Sequence, residues 1–453
     1  MVTMSVLGII GIILALFVFI YLGYKGWDVA YVVIIAVVIV AAFNAQNITE
    51  AFVSTFMQGA ADILINLYPI FITGAIFGAV YSCSGAGDAI AGGISRLFTR
   101  DKGSLEGKRG AWGITFICSI VFSLLNYTGI DAMIGLFVMY PIIVGFLRKA
   151  NIPRKTIPVL LMACYGIANG PGAIQSKQVL AMNVLGTSST AGLIPGIIGM
   201  ALVAVLSIPY IAKYIIKCQE RGEGFTEYEG DMHFMNGGDV KTPRFIVALI
   251  PLAAVFVLFN VFKMNNAIAV LIGTVITAVV CFPQMKANAP KHDILSFLKK
   301  TLNKGVINSS KVTIAVLSVV GFGSVVVSTD AFMGLAEKLT HVSVGGYFIF
   351  TTATCVLVGL MANSIGGIQI GLPILGKAFV SMGLSATGIH RIAMFAASTF
   401  DSLPISMFVI MCHDISGVKL KDGYKPVFIV SVLIPLICTY VIALLYTIYP
   451  GWA

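Results

Sequence analysis

The chain has 453 residues, of which 58% are hydrophobic and only 11% charged, with a net charge of +10 and a mean hydropathy of +0.97. A soluble domain carries about 25% charged residues, so a soluble globule is excluded. The basic residues sit in short segments between apolar runs and form no basic face, which excludes a nucleic-acid-binding surface and makes the lipid bilayer the expected surroundings.

In chain order, the apolar runs begin with Val6 to Tyr21 and Val29 to Phe43. Each approaches the roughly 20 residues that an α-helix needs to cross about 30 Å of hydrocarbon. They are continuous rather than alternating, which predicts helices and not a β-barrel. The first run has no basic segment before it and no small-residue cleavage site, and is expected to be a span rather than a signal peptide.

Next come Trp112 to Leu147, interrupted by NYTGID (Asn126 to Asp131), and Ile157 to Leu185, interrupted by YGIANGPG (Tyr165 to Gly172). Gly, Pro and Asn inside an apolar run stop a helix, yet unpaired backbone cannot face lipid. The pattern predicts a re-entrant hairpin at about 110–147 and a broken helix at about 156–188, both within a first repeat of residues 1–217. A polar cytoplasmic linker is expected over 218–243. A second repeat, 244–453, opens with Phe245 to Phe262 and closes with Val427 to Ile448. It contains a hairpin at about 343–381, broken at NSIGG (Asn363 to Gly367), and a broken helix at about 388–412, broken at STFDSLP (Ser398 to Pro404).

Placing both termini outside puts 24 of the 29 Lys and Arg residues in inside segments, as the positive-inside rule requires. The halves also resemble each other. Asp88-Ala89-x-x-Gly92-x-x-x-Arg96-Leu97 matches Asp330-Ala331-x-x-Gly334-x-x-x-Lys338-Leu339, Asn126-x-x-Gly129 matches Asn363-x-x-Gly366, and Arg154 matches Arg391. The topology sets the first match on opposite sides of the membrane, so the repeats are expected to be inverted. The expected fold is therefore an all-α polytopic membrane protein of two inverted repeats, each with a re-entrant hairpin and a broken helix, in the cytoplasmic (inner) membrane.

Helix N-termini at the hairpin tips would offer free N–H groups and a partial positive charge to a carboxylate. Candidate substrate-binding residues are Asn126, Thr128 and Gly129 from one tip and Asn363, Ser364, Gly366 and Gly367 from the other. The broken helices add Asn169, Gly170 and Gly172, then Ser398, Thr399 and Ser402. An acid at a membrane-helix centre costs about 2.5 to 3.5 kcal/mol on insertion scales, which makes Asp401 and Asp131 the candidate proton carriers. An alternative for Asp401 is that it caps the second half-helix. Asp88 and Asp330 read as N-caps, Lys177 as a buried counter-charge or a snorkelling side chain, and His390 and Arg391 as interfacial residues at the outer face.

The eight cysteines form no C-x-x-C pair and read as packing residues, so neither a metal nor a cofactor is expected. Gly371-x-x-x-x-Gly376-Lys377 has phosphate-loop spacing, but Ala378 replaces the metal-binding hydroxyl, and no ATPase subunit is expected. The five histidines form no cluster in the sequence, which argues against a membrane-embedded enzyme. The reading that remains is a secondary transporter of a small organic anion. The alternatives are sodium coupling, which the polar hairpin tips allow, and a passive anion facilitator or channel.

FDSLP (Phe400 to Pro404) followed by HDISGVKLKDGYKPVF (His413 to Phe428) resembles the β-hydroxybutyrate permease branch of the gluconate permease (GntP) family. VMYPIIVGFLRKANIPRKTIP (Val138 to Pro158), GPGAIQ (Gly170 to Gln175) and LIPGIIG (Leu193 to Gly199) extend the resemblance over most of the chain. It implies the ion transporter superfamily architecture, a homodimer with a moving, elevator-type transport domain, and proton-coupled uptake of a small hydroxy monocarboxylate such as 3-hydroxybutyrate or gluconate. Two departures fall at the expected site. Ala168-Asn169-Gly170-Pro171 lacks the acid of the family's Asp-Ala-Leu-Pro pattern, and Ile405-Ser406-Met407 replaces its His-Asn-Gly.

The topology predicts one pattern of labelling. Single cysteines at Lys102, Arg148 and Glu227 should react with a membrane-impermeant thiol reagent from the cytoplasmic side alone. Labelling of the first two from outside would reverse the assigned orientation.

Overall fold

The computed structural model describes residues 6–452 except 26, 91–92, 94–106, 128–131, 164, 174, 229–240, 263, 290–292 and 340–345. Every regular element among them is helical. Helix α1 (Val6–Tyr24) packs against α2 (Val29–Phe43), whose N-terminus is capped by the Asp28 carboxylate accepting from Ala30 N–H. A turn capped by Asn47 and a π-helical segment, Ala51–Phe56, lead into α3 (Met57–Cys83).

Helices α4 (Gly107–Tyr127) and α5 (Ala132–Lys149) pack together. Beyond them the chain is a short helix α6 (Ile157–Met162), an irregular stretch, α7 (Ser176–Leu185) and the long α8 (Leu193–Glu220). The later half follows with α9 (Phe245–Asn260), α10 (Asn266–Val280), α11 (Ile294–Val327) and α12 (Asp330–Leu339). It ends with α13 (Gly346–Met361), α14 (Ser364–Gly371), α15 (Ala386–Ala396), α16 (Met407–Ser416), α17 (Leu420–Phe428) and α18 (Ile434–Ile448).

By length and composition, Val6–Gly23, Gly107–Tyr127, Leu193–Glu220 and Leu420–Ile448 can each cross a membrane. Two bent pairs bring the number among the described residues to as many as 6: Ala267–Val280 with Phe282–Asn288, at 71°, and Ala386–Ser402 with Met407–Ser416, at 51°. Large apolar side chains stand out from the surface, Leu295 at 77% and Ile65 at 74% exposed, where a soluble protein would place polar groups. The chain is a polytopic helical membrane protein. Its main apolar core runs from α1 and α2 through α5 and α11 to α15 and α16, with a small second cluster at Ala79, Cys83, Ala289 and Phe297.

Helices stop at the apolar runs' Gly, Pro and Asn clusters for local reasons. At the end of α13, Ala362 takes a left-handed φ of 49°, and Asn363 then starts α14 by accepting from the N–H groups of Ile365 and Gly366 at 2.9 and 3.2 Å. The reversal brings α14 back against α13 so closely that a Cβ on Gly367 would lie 2.7 Å from the Val358 Cα. Glycine is required there by close approach, since φ is ordinary.

At both aspartates read as caps an upstream hydroxyl accepts from the backbone. Ser84 accepts from Ala86 N–H ahead of Asp88, whose carboxylate lies 4.0 Å from Arg148 and whose carbonyl accepts from Lys149. Thr329, not Asp330, accepts from Phe332 N–H at the start of α12. A hydroxyl one or more positions upstream wins because the cap must stand outside the first helical turn.

The reversal between α13 and α14 generates a contrast. Gly367→Val should destabilise the protein by on the order of 1 to 3 kcal/mol, because its side chain meets backbone that cannot give way. Gly366→Ala should be close to neutral, since its Cβ meets the mobile end of Met361 at 3.0 Å. Thermal unfolding in detergent measures both, and equal stability of the two variants would refute the packing argument.

Candidate functional site

Two irregular stretches cross inside the protein. The first, 163–175, joins α6 to α7 through a 3-10 turn, Ile167–Asn169, and a glycine, Gly172, at φ 88°. The second, 397–406, joins α15 to α16 through a 3-10 turn, Phe400–Ser402, and Pro404. Asn169, Ser398, Thr399, Asp401 and Ser402 are all at most 1% exposed. Backbone carbonyls released from helices in such a place need donors supplied by the protein.

Arg391 supplies one of them and two more for the connection beyond α7. Its side chain, 0% exposed, donates from Nη1 to Asn169 O at 2.8 Å, from Nε to Ala191 O at 2.9 Å and from Nη2 to Ser189 O at 3.2 Å. Gly196 leaves room for it, since a Cβ there would lie 3.0 Å from the Arg391 Cδ. The Gln175 amide donates to Ala168 O at 3.0 Å and to the Asn126 side chain, and the Tyr127 hydroxyl donates to Pro171 O. Tyr424 donates to Ser402 O at 3.0 Å.

Candidate side chains from the two stretches meet through hydrogen bonds. Ser398 Oγ accepts from Asn169 Nδ2 at 2.8 Å and from Lys177 Nζ at 2.9 Å. Tyr165 donates to Asp401 Oδ2 at 2.7 Å and Ser402 donates to Oδ1 at 3.1 Å. Lys177 lies over the Tyr165 ring, and its charge, together with the Ser364 hydroxyl, is turned toward the same carboxylate. Tyr165 is itself held by stacking on Phe408. Asp401 therefore does not cap α16, whose preceding residue, Ser406, makes no side-chain cap either.

The sequence-derived residues divide accordingly. Asn169, Ser398, Ser402 and Asp401 come together, with Ser364 facing them. Asn126 is drawn to the same crossing through Gln175. Gly170 lies against Met200 and Gly172 beside the Tyr127 hydroxyl. Thr399 is spent on the carbonyl of Ala396, in the helix it follows. The expected free N–H groups at the Asn363 tip are engaged, since Asn363 itself accepts from Ile365, Gly366 and Gly367 through its side chain and carbonyl. Thr128, Gly129 and Asp131 lie outside the described residues.

Tyr165, Gln175 and Lys177 were not among the sequence-derived binding residues. A lysine one residue into a short half-helix inside an apolar run, with no acid beside it in sequence, was the available signal for Lys177. Its charge at a helix N-terminus opposes the helix dipole, an arrangement that stability alone does not favour. His390 and Arg391, read as interfacial, are both 0% exposed, because the Arg391 guanidinium satisfies interior carbonyls and His390 Nδ1 pairs with the Thr187 hydroxyl.

Arg154 does at the opposite end what Arg391 does here. It contacts Ser416 O, at the end of α16, and Thr226 O. The segment that follows α8 is consequently docked rather than wholly solvated over its described part. Phe225 and Tyr228 lie against the Arg154 guanidinium, Glu227 takes two hydrogen bonds from Arg148, and Lys155 hydrogen-bonds Glu223, holding its carboxyl below the usual range.

No protein-family profile matches the chain. It is similar to the uncharacterized transporter YxjC of Bacillus subtilis (strain 168), at 22% identity over 93% of this chain and 95% of the relative. The likeness covers both irregular stretches and supports a transporter role.

Replacing Arg391 by Met keeps the side chain's length but leaves the carbonyls of Asn169 and Ala191 without their donor, while Ser189 O keeps Gly172 N–H and Gln178 Nε2. Unsatisfied buried polar groups cost about 1 to 3 kcal/mol each, so the variant should lose several degrees or more of thermal stability in detergent. A variant as stable as the parent would show that these carbonyls are satisfied otherwise.

Proposed function

We propose that the protein is a secondary transporter of a small hydroxy monocarboxylate, coupled to protons. The observation that carries this reading is the crossing of the two irregular stretches, where Lys177 and Asp401 share one buried polar cluster with Asn169 and Ser398. Interior charges of this kind in a membrane protein mark substrate and ion pathways.

Electrostatics supplies the coupling. With Asp401 ionised, its charge and that of Lys177 offset each other. A carboxylate substrate brings a second negative charge, and two carboxylates beside one ammonium repel. Protonating Asp401 removes that repulsion and leaves the ammonium to the substrate. The empty site and the site loaded with one proton and one anion then carry the same charge, so each favours the other's binding. The direction of net transport follows the gradients.

The architecture proposed for this activity is a pair of inverted repeats, each with a re-entrant hairpin and a broken helix, moving as an elevator in a homodimer. The paired arginines support it: Arg154 and Arg391, which match in sequence, each bind backbone of the other half, Arg154 at the end of α16 and Arg391 at Asn169 and just beyond α7. The resemblance to the gluconate permease family supports the same reading. A passive facilitator would have no use for a titratable carboxylate beside an ammonium.

Counterflow of labelled 3-hydroxybutyrate, lactate, gluconate and dicarboxylates into proteoliposomes tests the substrate class, and hydroxy monocarboxylates should exchange. Asp401→Asn tests the coupling, because Asn retains the shape and the contact with Tyr165 but cannot carry a proton. The variant should keep exchange and lose pH-driven accumulation at least ~tenfold, a change equivalent to about 1.4 kcal/mol. Full pH-driven accumulation by the variant would eliminate Asp401 as the carrier.

A further inference from the structure

Asn169 is 1% exposed, and its side-chain amide is used at one end only. Nδ2 donates to Tyr165 O at 3.2 Å and to Ser398 Oγ at 2.8 Å. A backbone carbonyl can only accept, so this pair of contacts settles which end of the amide is nitrogen. Oδ1 is buried and has no hydrogen-bond partner among the described residues. A buried acceptor left unsatisfied costs about 1 to 3 kcal/mol, so its retention beside a buried ammonium calls for a donor that arrives from elsewhere.

We infer that Asn169 is the specificity-determining residue of the transport site, its Oδ1 accepting the substrate's hydroxyl while Lys177 anchors the substrate's carboxylate. This inference rests on the carboxylate-transport reading and adds how the hydroxyl is sensed. The geometry suits one molecule to both groups. Lys177 Nζ and Asn169 Nδ2 meet on a single oxygen, Ser398 Oγ, at 2.9 and 2.8 Å, so the ammonium and the amide lie less than ~6 Å apart. A carboxylate and a hydroxyl separated by two or three bonds span such a distance. Ser398, accepting from both, keeps its own hydrogen to donate to the carboxylate.

Neighbouring groups leave this role to Asn169. The Asp401 carboxylate already accepts from Tyr165 and Ser402, and Thr399 is turned to its own helix. The Gln175 amide nitrogen is committed to Ala168 and Asn126, and Gln175 is only half-buried, unlike Asn169. In the first stretch Ala168 stands where the second stretch's Asp401-Ser402-Leu403-Pro404 has its acid, and Asn169 stands beside it, opposite Ser402. An amide accepts a hydroxyl without adding a negative charge that would repel the anion.

The test is competition against labelled 3-hydroxybutyrate counterflow by unlabelled 3-hydroxybutyrate and by butyrate, its deoxy analogue, with the purified full-length protein in proteoliposomes. A site built to hydrogen-bond a hydroxyl rejects the analogue lacking it, so the unaltered protein should prefer the hydroxy acid by ~tenfold or more. Asn169→Leu should bring the two competitors close to parity by weakening the hydroxy acid, and Asn169→Ser, which keeps a hydroxyl acceptor in less volume, should retain part of the preference. Lys177→Gln should weaken both competitors alike. Equal competition in the unaltered protein would overturn the inference without reference to any variant's folding, as would an unchanged ratio in folded Asn169→Leu. Absence of any carboxylate exchange by the unaltered protein would instead defeat the transport reading, and this inference with it.

Discussion

The constraint on which the rest of the structure depends is that backbone released from a helix inside a membrane protein must find its hydrogen bonds within the protein. The two irregular stretches release such backbone in the buried interior, and side chains from elsewhere in the chain meet the need. Arg391 donates to three carbonyls of the first stretch and of the connection beyond α7. Gln175, Tyr127 and Tyr424 satisfy others. Guanidinium suits this task because it is always charged, planar and rich in donors.

That requirement also separates the interior charges by use. Arg391 is saturated by carbonyls and acts as a fixture. Lys177 and Asp401 are held by hydroxyls and an aromatic ring, contacts that a ligand or a proton can exchange at small cost. A rigid frame around an exchangeable pair is what a binding site needs, since the frame fixes distances while the pair responds to charge. Gly196 belongs to the frame, because any larger residue would push the Arg391 side chain from its place.

Much of this was legible in the sequence, and the reasons are specific. Asn-Gly and Gly-Pro clusters within apolar runs announce where helices stop, and they do stop at Tyr127, Met162, Met361 and Ala396. Asp401 was legible because a lone acid in such a run has few structural uses. Local signals failed wherever a partner came from far along the chain. Nothing near Arg391 in sequence indicates Ala191, 200 residues away, and nothing near Tyr165 indicates Asp401, 236 residues away. Asn363 shows the opposite error: it stands at the start of α14, and its side chain consumes N–H groups that the sequence reading reserved for a ligand.

The pairing of Arg154 with Arg391 joins these strands of argument. Arg154, just ahead of α6, and Arg391, within α15, each grip backbone from the other half of the chain, Arg154 at Ser416 at the end of α16 and Arg391 at Asn169 and, beyond α7, at Ser189 and Ala191. Two such crossed ties make the interrupted helices difficult to separate, because moving either one strips donors from the carbonyls of its partner. A cluster seated at their crossing, as Asn169, Lys177, Ser398 and Asp401 are, would then keep its internal distances during any larger displacement. The same ties reach outward on one side, where Phe225 and Tyr228 cover Arg154 and Glu227 engages Arg148, so the segment after α8 bears on the mechanical unit that holds the site.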